Sequence, residues 1–151
     1  MIVNQITSTA VELEITDVTL LEVEEYGSLA DGLIPDVGQL FWLKSSSEGD
    51  GALAGTVAAG HWVAQNITSN RHGVRPALKI QNTNLSVGDK FTLAGYQWTV
   101  ILEDTALCDA IVARVSYRKN WRANDAHDYD ASDVKAWLAA WTKEKSIDIV
   151  S

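Results

Sequence analysis

The sequence predicts an α+β domain with mainly antiparallel strands, and three observations predict it. Short apolar segments alternate with stretches rich in Gly, Asn, Ser and Asp, the punctuation of strands and turns. Lys90 to Leu93 and Gln97 to Leu102 flank Ala94-Gly95-Tyr96, a hairpin signal. Val134, Trp137, Leu138 and Trp141 recur at i, i+3, i+4 and i+7, one face of a helix.

From the start of the chain, Ile2 to Leu13 alternate loosely, and Val11, Leu13 and Ile15 share one side of an extended segment, giving one or two strands. Thr19-Leu20-Leu21 continues as a short buried strand. Val23 to Leu29 reads as a short helix ending near Gly32, and Pro35 and Gly38 mark a loop. Leu40-Phe41-Trp42-Leu43 suits a core strand. Ser45 to Gly55, rich in Ser and Gly, reads as an exposed loop. Thr56 to Val63 reads as a strand broken by Gly60, Gln65 to Gly73 as a polar loop, and Val74 to Ile80 as an edge strand because of Pro76. Ala106 to Val115 completes a three-stranded meander with the hairpin. Ser132 is a suitable N-cap for the following helix, Asp133 suits its positive end, and Lys143 and Lys145 its negative end.

A length of 151 residues suits one domain, or a domain with a short arm. Such a chain buries roughly 70% of its unfolded surface, enough for a core without metal or disulfide. Twenty acidic residues against twelve basic ones give a net charge of −8, which disfavours nucleic acid as a partner because phosphates require Lys and Arg. The acids concentrate at Glu12 to Glu25, Glu103 to Asp109 and Asp125 to Asp133, near turns and helix starts, as on a solvated surface or an acidic docking face. A single cysteine excludes an intramolecular disulfide and a multi-cysteine zinc site. No apolar run approaches the length of a transmembrane helix, so no membrane insertion is expected. Met1-Ile-Val-Asn-Gln lacks the basic and apolar regions of a secretory signal, so none is expected.

Catalytic chemistry has little support. Cys108 lies within an apolar strand pattern, where a buried, inert thiol is expected. Asp125, His127, Asp128 and Asp130 are weak metal candidates: alternating carboxylates suit Ca²⁺, but the segment lacks the Gly and distal Glu of an EF-hand loop and equally reads as a polar loop feeding a capped helix. His61, His72 and His127 have no zinc spacing, and no Gly-rich phosphate loop or nucleophile-elbow motif occurs. No cofactor is expected, and the expectation is that the protein is not an enzyme.

Two sets of motifs are more specific. Leu20-Leu21-Glu22-Val23-Glu24-Glu25-Tyr26, Phe41-Trp42-Leu43-Lys44-Ser45 and Gly73-Val74-Arg75-Pro76-Ala77-Leu78 form the first. Val87-Gly88-Asp89, Trp98-Thr99-Val100-Ile101, Tyr117-Arg118 and Ser132-Asp133-Val134-Lys135-Ala136-Trp137-Leu138 form the second. The first resembles the second half, and the second the first half, of a domain of unknown function common in bacterial surface proteins and phage proteins. That domain reads LLSxEEY, WWLRSP and GVRPAL in one half, and a strand ending in WxVL before an S-x-x-x-x-WL helix in the other. The resemblance covers roughly residues 18 to 148. Lys44 replaces an Arg, Ser46 a Pro, and Glu22 stands where a Ser would cap the short helix, which is expected to weaken that helix start. GVRPAL normally closes the domain, whereas here Trp98 and the Ser132 helix follow it. The order implies a circular permutation, or else a swap in which residues 86 to 148 complete a neighbouring subunit.

The resemblance implies a C-type-lectin-like fold of the formylglycine-generating-enzyme type: a small twisted antiparallel sheet, two helices and long loops. It implies one permuted domain over residues 18 to 151, with residues 1 to 17 as an added strand or assembly arm. Sulfatase-activating members use cysteines, so their activity does not transfer to a chain with one. The family setting implies a phage or prophage virion protein, made in the host cytoplasm. Such a tail-, fibre- or capsid-associated module would act in assembly or host-surface recognition. The expected partners are further copies, other virion proteins, or a host-surface glycan or protein. The alternative is a soluble phage-encoded inhibitor of a host protein that acts through its acidic surfaces.

Candidate contact residues are Trp62, Asn66, Asn70, Arg71 and His72, with Trp121. They lie mainly on the expected loop pair Ser45 to Gly55 and Gln65 to His72, where polar groups bind and an indole offers a flat face. Trp62 equally suits core packing. Trp42, Trp98, Ser132, Trp137 and Leu138 occupy the family's structural positions, with Trp42, Trp98 and Trp137 as the core that ties the halves together. Arg75, beside Pro76 in an apolar strand, is expected to hold a buried carboxylate.

Overall fold

A computed structural model describes residues 2–5, 11–29, 32–35, 37–46, 51–55, 62–66, 71–117, 129 and 132–150. They form an α+β domain with mostly antiparallel sheets and two helices.

The strands are β1 (Ile2–Gln5), β2 (Val11–Glu12), β3 (Glu14–Thr19), β4 (Phe41–Ser46), β5 (Gly51–Gly55), β6 (Trp62–Asn66), β7 (His72–Val74), β8 (Ala77–Gln81), β9 (Lys90–Leu93), β10 (Tyr96–Leu102), β11 (Thr105–Cys108) and β12 (Ala113–Val115). The helices are α1 (Val23–Gly27) and α2 (Asp133–Glu144). One sheet has seven strands in the order β2-β1-β9-β10-β11-β8-β3, and the other has five in the order β12-β7-β4-β5-β6. The expectation of a single small sheet is therefore corrected. Alternation marks which residues are strand but not which strands pair, and the chain turns into a second sheet at β4. Among the described residues, the one parallel pairing joins β4 to β7, at Phe41 and Gly73.

The meander of β9, β10 and β11 is present, but the expected strand from Ala106 to Val115 is corrected: it ends at Cys108, and Ala113–Val115 form β12 in the other sheet. Leu93 pairs with Tyr96 across a two-residue turn in which Ala94 and Gly95 both have positive φ (57° and 84°), the geometry that follows strand twist. Strand β10 then pairs with β11, and β11 with β8. Central strands carry continuous buried runs, with all four residues of β11 buried, because both faces of this sheet are covered. Leu78, Ile80, Trp98, Val100, Ala106 and Cys108 point into one apolar cluster together with Val134, Leu138 and Trp141 of α2. Ala77, Ile101 and Leu107 point into another with Tyr26 of α1. Strand β4 divides in the same way, Trp42 joining the first cluster and Phe41 and Leu43 the second. Each cluster thus draws on both sheets.

Trp42 and Trp98 lie in one apolar cluster, so the two motif-bearing halves share a core where they are described. The N-terminal segment is strand where it is described, and it joins the seven-stranded sheet. Strand β1 pairs with β9 at Asn4 and Thr92, β3 pairs with β8, and Val11, Leu13 and Ile15 are fully buried. The expected boundary between residues 17 and 18 falls inside β3. At the far end of the chain, Val150 N–H donates to Ile15 O at 2.8 Å, laying the C-terminal residues along β3.

The helices start as their caps dictate. Ser132 Oγ accepts from Lys135 N–H at 3.1 Å and donates to Tyr129 O at 2.6 Å. Glu22, expected to weaken α1, sits instead in a capping box. Its N–H donates to the Glu25 carboxylate at 3.0 Å, and its own carboxylate accepts from Glu25 N–H. A carboxylate can accept here as a serine hydroxyl does. Lys79 pairs with the other oxygen of Glu25.

Gly73 of the GVRPAL-like segment is required for space. A Cβ there would lie 2.5 Å from Cδ1 of Ile111 and 2.8 Å from Cγ1 and Cγ2. Ile is stiff at χ1, so Cγ1 and Cγ2 cannot both turn away without a shift of Ile111 itself. Gly73→Ala is therefore expected to cost about 1–3 kcal/mol through overpacking. Thermal unfolding should show Tm lowered by several degrees, and an unchanged Tm would contradict the close approach.

Candidate functional site

Strand β12 and the first turns of α2 face each other across a cleft of about 720 Å³, lined among the described residues by Arg71, Val115, Ser116, Asp133, Ala136 and Trp137. Each wall is held by the fold. On the sheet side, Arg71 Nη2 donates to Arg114 O, and Arg114 Nε donates to Arg71 O, both at 3.3 Å. Val115 O accepts from Trp42 Nε1 at 2.7 Å, which ties β12 to the core. On the helix side, Val134 N–H donates to Tyr117 O at 3.2 Å, and Tyr117 OH donates to Lys44 O at 3.2 Å. Trp137, half-buried, stacks on buried Trp141 at 6.4 Å between ring centroids and 19° between planes, and Trp141 meets Tyr96 at 6.1 Å. The cleft therefore offers a guanidinium, a carboxylate, a hydroxyl and an indole on a framework fixed at both sides.

Of the sequence candidates, Arg71 is exposed and in this cleft. His72 opens β7 but is half-buried, its ring edge-on to Trp42 at 4.9 Å and 65°. Burial, followed by the charge of Arg114, holds its pKa below the usual imidazole value, so the ring is neutral near pH 7 and acts as packing. Trp62 and Asn66 are not brought to Arg71. They begin and end β6, and the order β7-β4-β5-β6 sets that strand three steps away, about 14 Å across the sheet. The expected loop from Ser45 to Gly55 is corrected at both ends, to the end of β4 and all of β5; of the expected Thr56-to-Val63 strand, Trp62 and Val63 lie in β6 and 56–61 lie outside the described residues. The polar loop drawn from Gln65 to Gly73 likewise includes the end of β6 and the start of β7. Asn70, Trp121, Asp125, His127, Asp128 and Asp130 lie outside the described residues. Among the described residues no group of three or more His, Cys, Asp or Glu side chains is placed to hold a metal ion.

Trp137, expected in the core, flanks the first apolar cluster and also forms part of the cleft wall. Val115, Ser116 and Ala136 carried no sequence signal, being small or apolar residues in ordinary strand and helix patterns. Trp98 is fully buried, with Nε1 donating to Leu93 O at 3.0 Å, and Leu138 is buried on the inner face of α2.

Other reactive groups are structural. Burial pushes the Cys108 thiol up to about 11, so it stays protonated at neutral pH. Arg75, 2% exposed, donates from Nε to Cys108 O at 2.7 Å and from Nη2 to Pro35 O at 3.0 Å and Asp109 O at 3.3 Å. Its guanidinium also lies over the Phe41 ring at 5.1 Å. These three acceptors are backbone carbonyls, which a planar fork can span together. The Asp109 carboxylate accepts from Lys90 Nζ at 2.8 Å and Thr99 Oγ1 at 2.5 Å, closing a ring beside fully buried Thr99. No described helix is long and apolar enough to cross a membrane.

No family model, no curated protein and no solved structure matches the chain.

Proposed function

We propose that the chain is a non-catalytic binding module of a phage or prophage particle, a tail-, fibre- or capsid-associated protein present in many copies. The observation that carries the binding reading is the cleft between β12 and α2, where Arg71, Asp133 and Trp137 converge on a rigid frame. The protonated Cys108 thiol supports a role without thiol catalysis. The particle setting is supported by the resemblance of the GVRPAL-like and Ser132-to-Leu138 segments, and so is the finer fold, C-type-lectin-like and circularly permuted. The shared cluster of Trp42 and Trp98 supports permutation within one chain over a swap.

The test is mass spectrometry of particles purified from a producing host. Recovery of the chain at a copy number comparable with known structural proteins is the expected result. Recovery only from the host lysate overturns this setting. That outcome favours the inhibitor reading, in which exposed acids such as Asp17, Glu22 and Glu24 meet a basic host protein.

A further inference from the structure

We propose that Arg71 and Arg114 form a clamp for a phosphoryl dianion, either free phosphate or a phosphate monoester. This rests on the reading of the chain as a binding module and names the ligand class at the Arg71 side of its cleft.

Placement is the first argument. Arg114 is the middle residue of β12 and pairs in register with Gly73, two residues beyond Arg71, so the two arginines are diagonal neighbours. Arg71 Nη2 donates to Arg114 O, and Arg114 Nε donates to Arg71 O, both at 3.3 Å. Each guanidinium thus uses one nitrogen to grip the backbone of the other. Nε and Nη1 of Arg71, and Nη1 and Nη2 of Arg114, stay outside these bonds as further donors. Both side chains are exposed, so a solute can reach them.

Charge is the second argument. Like charges side by side repel, yet the reciprocal bonds hold these two together. The chain has twenty acidic residues, and Lys79 and Lys90 are each paired with one. Among the described residues no carboxylate pairs with Arg71 or Arg114. Asp133, on the helix wall of the cleft, is already engaged and is not drawn on. An anion seated between the two guanidiniums turns their repulsion into attraction.

The shape and charge of the anion follow. A carboxylate is planar, and one guanidinium fork fills both of its oxygens. A phosphoryl group is tetrahedral, and its three terminal oxygens accept from two forks at once. Two positive charges match the dianion of a monoester better than the single charge of a diester. A net charge of −8 on the chain opposes a long polyanion far more than one small dianion. The cleft beside Arg71 gives room for the organic part of an ester.

NMR on the full chain tests this, read at the Nε–H signals of Arg71 and Arg114 at neutral pH and low ionic strength. Glycerol 3-phosphate and inorganic phosphate are the probes, and inorganic sulfate is the isosteric dianion. Dimethyl phosphate, a tetrahedral monoanion, and acetate, a planar one, are the controls. The expected result is a saturable shift of both signals with all three dianions, and binding about tenfold weaker for both controls. Tighter binding of glycerol 3-phosphate than of phosphate identifies an ester as the ligand, and equal binding identifies the free ion. Arg114→Ala should weaken binding by about tenfold. Arg114→Lys, which keeps the charge and loses the fork, should recover only part. Lys143→Ala, at the other end of α2, should leave affinity unchanged. No saturable shift at either arginine, equal affinity for acetate, or unchanged affinity in Arg114→Ala would overturn the proposal. Particles that carry the chain, together with no dianion binding, would overturn this inference alone. Dianion binding by a chain absent from particles would overturn only the particle setting.

Discussion

Arg75→Met is expected to destabilise the protein by about 3–5 kcal/mol, because it leaves Cys108 O, Pro35 O and Asp109 O without the donor that holds them. A buried carbonyl that loses its partner keeps the desolvation cost, about 1–3 kcal/mol each before relaxation. The side chain is 2% exposed, so water cannot readily replace it. Its position explains the size of the effect. It fastens the end of β11 and the segment around Pro35 to the start of β8, and packs on Phe41 in the second apolar cluster. Arg75→Lys should recover only part of the loss, since an ammonium on a flexible stem cannot span the same acceptors as a planar fork. Urea denaturation is the measurement: the midpoint should fall with little change in slope. A loss below about 1 kcal/mol, the ordinary value of one hydrogen bond, would show that Arg75 is not the tie described.

Trp42→Ala should cost a similar amount, about 3–5 kcal/mol, by emptying a large volume between the two sheets. Trp42 is 1% exposed and touches the rings of His72 and Tyr117 edge-on, at 4.9 and 5.6 Å. The substitution also removes the donor to Val115 O, so the cleft wall should loosen with the core. Trp42→Phe separates the two effects. It keeps most of the ring packing and loses the Nε1 hydrogen bond, and should cost about 1–2 kcal/mol. Equilibrium unfolding of both variants checks the values. Equal losses in the two would mean that the hydrogen bond, not the volume, carries the stability.

The parts of the fold most legible in the sequence were those decided locally. Helix α2 follows from Ser132 and the spacing of Val134, Leu138 and Trp141, all of which behave as that periodicity requires. The β9–β10 hairpin follows from a short turn that tolerates positive φ. Strand β5 was not legible, because Gly51-Ala-Leu-Ala-Gly55 has none of the branched or aromatic residues that mark strands; pairing with β4 and β6 overrides its weak propensity. Val11, Leu13 and Ile15 announced a strand, but nothing near them in sequence announced that β8 and the Trp98 cluster would cover it. For the site, Arg71 was legible as a polar loop residue. Its neighbours in space, Ser116 and Asp133, are far away along the chain, and only the fold brings them near.

The strand order β2-β1-β9-β10-β11-β8-β3 places the first residues of the chain at one side of the meander and β3 at the other. Strand β1 therefore waits for β9, and β3 for β8, so these strands leave the ribosome well before those partners. Loops of this length close slowly, and the half-made sheet meanwhile presents open edges. The nascent chain is thus most vulnerable to aggregation while residues 1 to 76 are already synthesised and residues 77 to 108 are not. No cut between those two stretches would leave a fragment with its sheet intact.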